Sequence, residues 1–179
     1  AGAGVPFLRP AELSQDFSTD LDFILHAISW FEQNDRVPDF IAHVRPTTPF
    51  REASIVDKAI DQFACSSDFT ALRSVHQMAE SAYKCFEING RGCLASLGSG
   101  STRLDQQNAA RQLFTSTYQA NGYVDVLSVP HILANREIHG ASVVPFITED
   151  VVEVDTENDF ERLEFQLSRN PQLITNLFG

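Results

Sequence analysis

The sequence lacks several features that mark common classes of protein. Its cysteines, Cys65, Cys85 and Cys93, are odd in number and have no C-x-x-C spacing. A disulfide framework or a structural zinc site is therefore not expected, and the reducing cytoplasm is the expected location. No apolar run approaches the roughly 20 residues that a membrane-spanning helix needs. We therefore expect no membrane as a partner.

Basic residues are also scarce. Lys and Arg number 13 against 24 Asp and Glu, which gives a formal net charge of −11 at pH 7. A field this negative disfavours binding to a nucleic acid polymer or to an anionic membrane. It leaves open an anionic ligand held in a local basic pocket.

Two widespread catalytic signatures are missing as well. The sequence has neither a G-x-x-x-x-G-K-[ST] phosphate loop nor a G-x-S-x-G nucleophile elbow. Its histidines are scattered, and we expect His43, His76 and His131 to be structural. The sequence therefore does not favour a P-loop enzyme or a serine hydrolase.

The apolar pattern predicts alternating helices and strands in one domain. Helices are predicted over 20–33, 52–64 and 157–169, and strands over 40–44, 69–76, 123–129, 143–147 and 151–154. A hairpin is predicted over 83–97 with its turn at Asn89-Gly90, followed by a polar loop over 98–110. We therefore expect an α/β fold with a largely parallel sheet, helices on both faces and ligands at the carboxyl ends of the strands.

The loop after the first predicted strand reads Arg45-Pro-Thr-Thr-Pro-Phe-Arg51. Its arginines and hydroxyls, on a loop stiffened by proline, could donate forked hydrogen bonds to a carboxylate or phosphate. The alternative is a rigid strand-to-helix connection with solvated arginines, which composition alone favours.

A second candidate site lies in the acidic segment 152–159. If 151–154 is a strand, Glu153 and Asp155 share a face, and two carboxylates at a strand end suit Mg²⁺. The alternative is a helix N-terminus decorated with acids that favour its dipole. That alternative explains Glu157 and Asp159 but not Glu153, which precedes the helix cap Thr156.

A third candidate comprises Arg111-Gln112 and the segment 118–123, which contains Asn121-Gly122. The alternative here is a turn at Asn-Gly that leads into a strand. Taken alone, this group indicates no particular function.

Six segments taken in order resemble the acylneuraminate cytidylyltransferases, which activate sialic-acid-type sugars. They are residues 5–14, 45–51, 73–84, 111–112, 118–125 and 154–160. The resemblance implies a Rossmann-like, three-layer nucleotidyltransferase fold with a mostly parallel sheet. It also implies a homodimer, in which the excursion 83–110 reaches across to the partner.

The same resemblance implies a reaction and a set of site residues. The anomeric hydroxyl of an acidic nine-carbon sugar attacks the α-phosphate of CTP, which yields the CMP-sugar and pyrophosphate. Such a transfer needs positioning and charge neutralisation more than covalent chemistry. By resemblance the catalytic residues are Asp155, Lys84 and Arg111, with Asp155 and Glu153 as ligands of Mg²⁺. Substrate contacts are expected from Arg45, Thr47, Thr48, Arg51, Gln112, Asn121 and Tyr123.

The sequence departs from the family pattern at two of these motifs. Members that use N-acetylneuraminate usually have Gln at the position of Arg45, and the Arg-Gln pair is usually followed by Asp, where this chain has Leu113. The sugar could therefore be N-acetylneuraminate or a differently decorated acid such as legionaminic acid.

The chain opens part of the way into the family pattern, at Ala1-Gly-Ala-Gly. The first strands and the glycine- and lysine-bearing loop that holds CTP are not in it. We therefore expect residues 1–179 to be a partial domain that is inactive alone. The alternative is a non-catalytic sugar-binding or dimerising module, against which the retained Asp155, Lys84 and Arg111 count.

Overall fold

Helices and strands alternate along the chain in the computed structural model, which describes residues 4–65 and 68–174. The helices are α1 (Asp20–Gln33), α2 (Ala53–Ala64), α3 (Val129–Asn135) and α4 (Glu157–Arg169). The strands are β1 (Phe40–His43), β2 (Ala71–Gln77), β3 (Phe86–Ile88), β4 (Leu94–Ser96), β5 (Tyr118–Ser128) and β6 (Val143–Ile147). The mixed α/β class predicted from the sequence is confirmed.

Helix α1 begins and ends where its apolar spacing predicted. Thr19 caps it in a capping box, because its backbone N–H and its hydroxyl both donate to Asp22 Oδ2, at 2.9 and 2.7 Å. The helix buries Ile24 and Ile28 against Leu127 of β5 and Ile132 of α3. Burial of such aliphatic side chains is the main stabilising contribution to a core.

Four of the strands form one sheet in the order β1-β5-β2-β6. Strand β1 pairs with β5 in the antiparallel direction, with Phe40 opposite Ser128 and His43 opposite Asp125. This pair differs from the largely parallel sheet that the sequence predicted. Antiparallel pairing gives an exchange of hydrogen bonds between facing residues and needs no crossover helix.

The chain divides into two compact units, which are described separately. Unit 1 comprises residues 1–74, 122–146 and 152–179, and contains the core cluster around α1. Unit 2 comprises residues 75–121 and 147–151, and contains the hairpin β3–β4.

Unit 2 contains the predicted β-hairpin at its predicted place in the sequence. Strands β3 and β4 are antiparallel, with Ile88 opposite Leu94. Asn89 closes the turn because its Oδ1 accepts from the backbone N–H groups of Arg91 and Cys93, at 3.0 and 3.1 Å. Gly92 has a φ of 75°, the left-handed conformation that glycine adopts without strain. The polar loop after the hairpin contains a short 3-10 helix at Asp105–Asn108.

Three local predictions differ from the structure. Residues 151–154 are not a strand, since Val154 N–H donates to Thr47 O at 2.8 Å, which ties the segment to the 45–51 loop. Strand β5 begins at Tyr118 rather than at residue 123, so Asn121 and Gly122 lie inside it instead of forming a turn. Helix α3 was not predicted, although Ser128 caps it and Pro130 stands at its start, a common helix-start pattern.

Within the described ranges, no helix has both the length and the apolar character that crossing a membrane requires.

Candidate functional site

Unit 1 contains a fully buried carboxylate, Asp125, with three basic side chains within 4 Å of it. Asp125 is 0 % exposed and projects from β5. Arg45 Nη1 donates to its Oδ2 at 3.2 Å, and His139 Nε2 lies 3.5 Å from the same oxygen. Arg73 Nε lies 3.9 Å from Oδ1. Sequence reasoning did not select Asp125, because one acid inside an apolar strand resembles an ordinary polar interruption.

The charges of this cluster shift the pKa values of its members. Burial alone would raise the pKa of Asp125, but His139, Arg45 and Arg73 together hold it below its ordinary value. Burial and then Arg45 lower the pKa of His43. Burial opposes the charge of Arg45, yet its two carboxylate partners, Asp125 and Asp20, raise its pKa. Asp125 is therefore ionised near neutral pH, whereas His43 is neutral.

Neither arginine of the 45–51 loop is simply solvated. Arg45 Nη2 donates to Asp20 Oδ2 at 3.1 Å, in addition to its bond with Asp125. Arg51 donates to backbone carbonyls, from Nε to Tyr123 O at 2.6 Å and from Nη2 to Arg45 O at 2.7 Å and to Gly122 O at 2.9 Å. Arg51 therefore fastens the loop to β5 through two backbone carbonyls of that strand.

Tyr123 supports the same connection from the strand side. It is 3 % exposed, and its hydroxyl accepts from the backbone N–H of Glu52 at 2.7 Å, just before α2. Burial raises the pKa of this phenol. The structure thus gives Arg51 and Tyr123, both predicted as substrate contacts, partners within the protein.

Gly122 provides the close approach that brings three site residues together. A Cβ at this position would lie 2.7 Å from Thr48 Oγ1 and 3.4 Å from Arg45 Cδ, and would clash with Glu153 Oε1. The φ of Gly122 is not positive, so glycine serves here for its missing side chain and not for a turn. Thr48 is 1 % exposed, and its hydroxyl is without a hydrogen-bond partner among the described residues. Thr47, half-buried, contributes its carbonyl to Val154.

Asp155 and Glu153 occupy different surroundings in unit 1. Asp155 is exposed and immediately precedes the capping box of α4, in which the backbone N–H and the hydroxyl of Thr156 donate to Asp159 Oδ2 at 3.0 and 2.8 Å. Glu153 is half-buried beside Gly122 and Thr48. The argument that a strand aligns their side chains does not apply, because 151–154 is not a strand.

The donor set of this segment fits a hard cation in its chemistry. Glu153 and Asp155 offer carboxylate oxygens, and the unsatisfied hydroxyl of Thr48 lies beside Glu153 over Gly122. Mg²⁺ needs few protein oxygens because it keeps several of its waters. Among the residues that the structure describes, no group of three or more His, Cys, Asp or Glu side chains could hold a metal ion.

Unit 2 contains a cavity of about 370 Å³. Arg111 and Gln112, two of the predicted site residues, line it together with Phe114 and the segment 115–117. Ser81 also lines the cavity, and its hydroxyl donates to Thr115 O at 3.0 Å. In the described part of the chain, Arg111 has no carboxylate partner. The cavity therefore offers an unpaired guanidinium.

Lys84 lies close to the same cavity wall. Its Nζ is 5.7 Å from the centre of the Phe114 ring and 3.6 Å from Glu80 Oε2. The glutamate is 65 % exposed, so this ion pair is largely open to solvent and weak. Unit 2 thus places Lys84 beside Phe114, which lines the same cavity as Arg111 and Gln112.

Asn121, the remaining predicted contact, is 4 % exposed in unit 2. Its Nδ2 donates to Thr148 Oγ1 at 2.9 Å and lies 3.5 Å from His76 Nδ1. His76 Nε2 is in turn 3.6 Å from Asp150 Oδ1. The amide is therefore held by a polar network that orients it on β5.

Substituting alanine for Gly122 tests the close approach on which this site depends. The new methyl group must displace Thr48 and the Glu153 carboxylate, so we expect a loss of about 1–3 kcal/mol in the free energy of unfolding. Urea denaturation measures it. The matched control is Gly90→Ala, because a Cβ there meets nothing within 4 Å. Equal stability of the two variants would contradict the packing described here.

From the lowered pKa of Asp125 we predict that the free energy of unfolding falls at acid pH. Its folded pKa lies below that of the unfolded chain, about 3.9. As the pH falls below about 4, the unfolded state therefore binds the proton first and the stabilisation is lost. Asp125→Asn removes one partner of a buried ion pair, so we expect it to cost about 3–5 kcal/mol at pH 7.

The stability difference between the wild type and Asp125→Asn should shrink as denaturation curves are taken from pH 7 to pH 3. A difference that stays constant over this range would show that folding does not lower the pKa of Asp125.

The curated relatives of this chain agree with the family resemblance that the sequence motifs indicate. No protein-family model matches the chain. It is 22 % identical over 176 residues to a CMP-N,N'-diacetyllegionaminic acid synthase of Legionella pneumophila, covering 97 % of this chain and 73 % of that protein. It is 24 % identical over 170 residues to an N-acylneuraminate cytidylyltransferase of Escherichia coli O18:K1:H7, covering 93 % of this chain and 38 % of that one. These two relatives confirm the resemblance to acylneuraminate cytidylyltransferases that the motifs predicted.

Proposed function

We propose that the protein transfers CMP from CTP to the anomeric hydroxyl of a sialic-acid-type nonulosonic acid. The names of the two relatives support the reaction class. The observation that carries the proposal is the unit 2 cavity, in which the unpaired Arg111 stands with Gln112 and Phe114. Arg111 and Gln112 are exposed at this cavity, so an acidic sugar could reach the guanidinium there.

Arg111 is the residue best suited to the sugar carboxylate. A guanidinium binds a carboxylate through two parallel N–H donors, and such charged hydrogen bonds are roughly twice as strong as neutral ones. Lys84 supplies a second positive charge near Phe114, since its pairing with the exposed Glu80 is weak. Gln112 adds a neutral amide at the same cavity wall.

In the proposed reaction the anomeric oxygen forms a new bond to the α-phosphorus of CTP, and the bond to the pyrophosphate oxygen breaks. The sugar hydroxyl releases its proton to solvent, and pyrophosphate leaves with the electron pair of the broken bond. Lys84 and Arg111 stabilise negative charge by position rather than by covalent chemistry. Asn121 holds a substrate hydroxyl from its fixed place on β5.

Glu153 and Asp155 would hold Mg²⁺, with the Thr48 hydroxyl beside Glu153. When bound, such an ion neutralises phosphate charge and orients the transferring group. Thr47, Arg51 and Tyr123 keep the 45–51 loop in place through the contacts described above. CTP and the acidic sugar are the proposed substrates, and the cytoplasm is the proposed location.

The hairpin of unit 2 supports a homodimer. Phe86, Ile88 and Leu94 are 42, 75 and 48 % exposed. Ile88 faces Leu94 across the hairpin, and Phe86 lies two residues before Ile88, so all three share one face. An exposed apolar face of this kind is expected to be covered by a partner, and we propose a second copy of the chain.

Removing the charge of Arg111 tests the sugar site. We expect Arg111→Gln to weaken binding of N-acetylneuraminate or N,N'-diacetyllegionaminate about tenfold or more, because a hydrogen bond to a charged group contributes about 1.5–3 kcal/mol. Isothermal titration calorimetry measures the affinity. Arg103→Gln is the matched control, since Arg103 is exposed in the same unit and is not a lining residue of the cavity. Absence of binding of either sugar to the wild-type chain would overturn the proposal.

Placing a charge on the hairpin face tests the proposed dimer. We expect Ile88→Asp to shift the protein to the monomer, because an unpaired carboxylate in an apolar interface is costly. Light scattering after size-exclusion chromatography gives the mass. Leu133→Asp serves as the control, because Leu133 of α3 is a comparable exposed apolar residue of unit 1. A wild-type protein that is already monomeric at high concentration would contradict the prediction.

A further inference from the structure

Lys84 is well enclosed for a lysine, although it stands on a short connecting segment of unit 2. Its side chain is 26 % exposed, and its Nζ lies 5.7 Å from the centre of the Phe114 ring. Lysines are mostly exposed, and their charge sits on a flexible four-carbon stem. The place of this charge therefore depends on how the backbone of the segment is held.

Regular sheet pairing stops just before it reaches this segment. Strand β2 ends at Gln77 and strand β5 begins at Tyr118, and the two strands are neighbours in the sheet. One backbone bond extends their pairing, from Met78 N–H to Thr117 O at 2.9 Å. Beyond it, bonds through side-chain hydroxyls join residues 81–82 to residues 115–117.

Ser81 makes the first of these connections and is itself 7 % exposed. Its hydroxyl donates to Thr115 O at 3.0 Å and accepts from the backbone N–H of Tyr83 at 3.3 Å. Its carbonyl accepts from the backbone N–H of Lys84 at 2.9 Å, which closes a short 3-10 turn. One serine thus joins the turn that carries the lysine to the residue directly after Phe114.

Thr117 makes the second connection, two residues further along the same chain segment. Its hydroxyl accepts from the backbone N–H of Ala82 at 2.8 Å and donates to Met78 Sδ at 3.3 Å. A hydroxyl is both a donor and an acceptor, so one side chain can join two points of a neighbouring segment. Thr117 therefore holds both ends of the segment 78–82.

The residues joined in this way form part of the unit 2 cavity. Residues 115–117 and Ser81 line it, as does Arg111. The hydroxyl bonds therefore fix the turn that bears Lys84 relative to the wall that bears Arg111. All of these residues lie within unit 2.

The ion pair of Lys84 is a weaker constraint on its position. Its partner Glu80 is 65 % exposed, and an ion pair open to solvent contributes little. The Ser81 hydroxyl is buried, and a hydrogen bond sheltered from water is electrostatically stronger than one in water. The hydroxyl bonds are thus better suited than the glutamate to set where the lysine lies.

We propose that Ser81, supported by Thr117, is the positioning residue of Lys84. Its hydroxyl sets the turn so that the ammonium group lies beside Phe114, a lining residue of the cavity, where it attracts an anionic ligand. That this ligand is an acidic sugar rests on the proposed function. The positioning itself concerns the protein alone and is testable without any ligand.

The first experiment follows Lys84 by NMR in the absence of ligand. An aromatic ring displaces the resonances of protons held over its face, so Phe114→Leu gives the undisplaced reference for the Lys84 Cε protons. We expect Ser81→Ala to move these resonances most of the way to that reference. Ser99→Ala is the matched control and should leave them in place, because Ser99 is exposed in unit 2 and its hydroxyl also accepts one backbone N–H at 3.3 Å.

The other hydroxyl is tested by comparing Thr117→Val with Thr117→Ser. Valine removes the hydroxyl, so the Lys84 resonances should move, whereas serine keeps it and should leave them as in the wild type. Unchanged resonances in Ser81→Ala or in Thr117→Val overturn the positioning by that hydroxyl, whatever the protein binds. The Thr117 pair gives the same readout if Ser81→Ala does not fold by circular dichroism.

The second experiment measures what the positioning does for binding, by a double-mutant cycle with N-acetylneuraminate as the ligand. Lys84→Met removes the ammonium charge and keeps most of the stem. We expect Ser81→Ala to weaken binding about fivefold when Lys84 is present and to have no further effect in Lys84→Met, because residues that act through one another are not additive. Calorimetry gives the four affinities, and Ser99→Ala should match the wild type.

An equal loss of affinity with and without the Lys84 charge overturns the role of Ser81 in binding, since a merely structural serine would weaken the site in both backgrounds. Failure of the wild type to bind N-acetylneuraminate or N,N'-diacetyllegionaminate overturns the proposed function and the ligand half of this inference. In that case the Lys84 resonances still decide the positioning half, so the two failures are distinguishable.

Discussion

A carboxylate that is wholly removed from water must be matched by positive charge, and Asp125 imposes this condition on unit 1. Its partners come from the end of β1, from β2 and from the segment after α3, through Arg45, Arg73 and His139. Each of these elements therefore has a fixed position relative to β5. The 45–51 loop is attached to β5 at both ends, through the bond of Arg45 to Asp125 and through the bonds of Arg51 to backbone carbonyls of the strand.

The sequence predicted the regular elements better than the contacts that create the site. Apolar spacing and capping residues located α1 and α4 to the residue, because helix signals are local. The segment 151–154 has the apolar composition of a strand, but Val154 bonds to Thr47 instead of to a neighbouring strand. A pairing between segments more than 100 residues apart leaves no signal in composition.

Gly122 shows that a glycine can be required either for a turn or for close packing. Next to Asn121 it indicates a turn, which is the ordinary role of an Asn-Gly pair. In the structure it stands in a strand, and the space of its absent side chain is taken by Thr48 and Glu153. A sequence alone does not distinguish a glycine chosen for its backbone from one chosen for its size.

The net charge of −11 does not show which cations are paired with acids, whereas the ion pairs do. In the described part of the chain, acids are paired with Arg45 and Lys84, whereas Arg111 stands without one. The ligand charge that a site accepts depends on which cations remain unpaired and not on the total. An acidic protein can therefore keep a single guanidinium available for an acidic ligand.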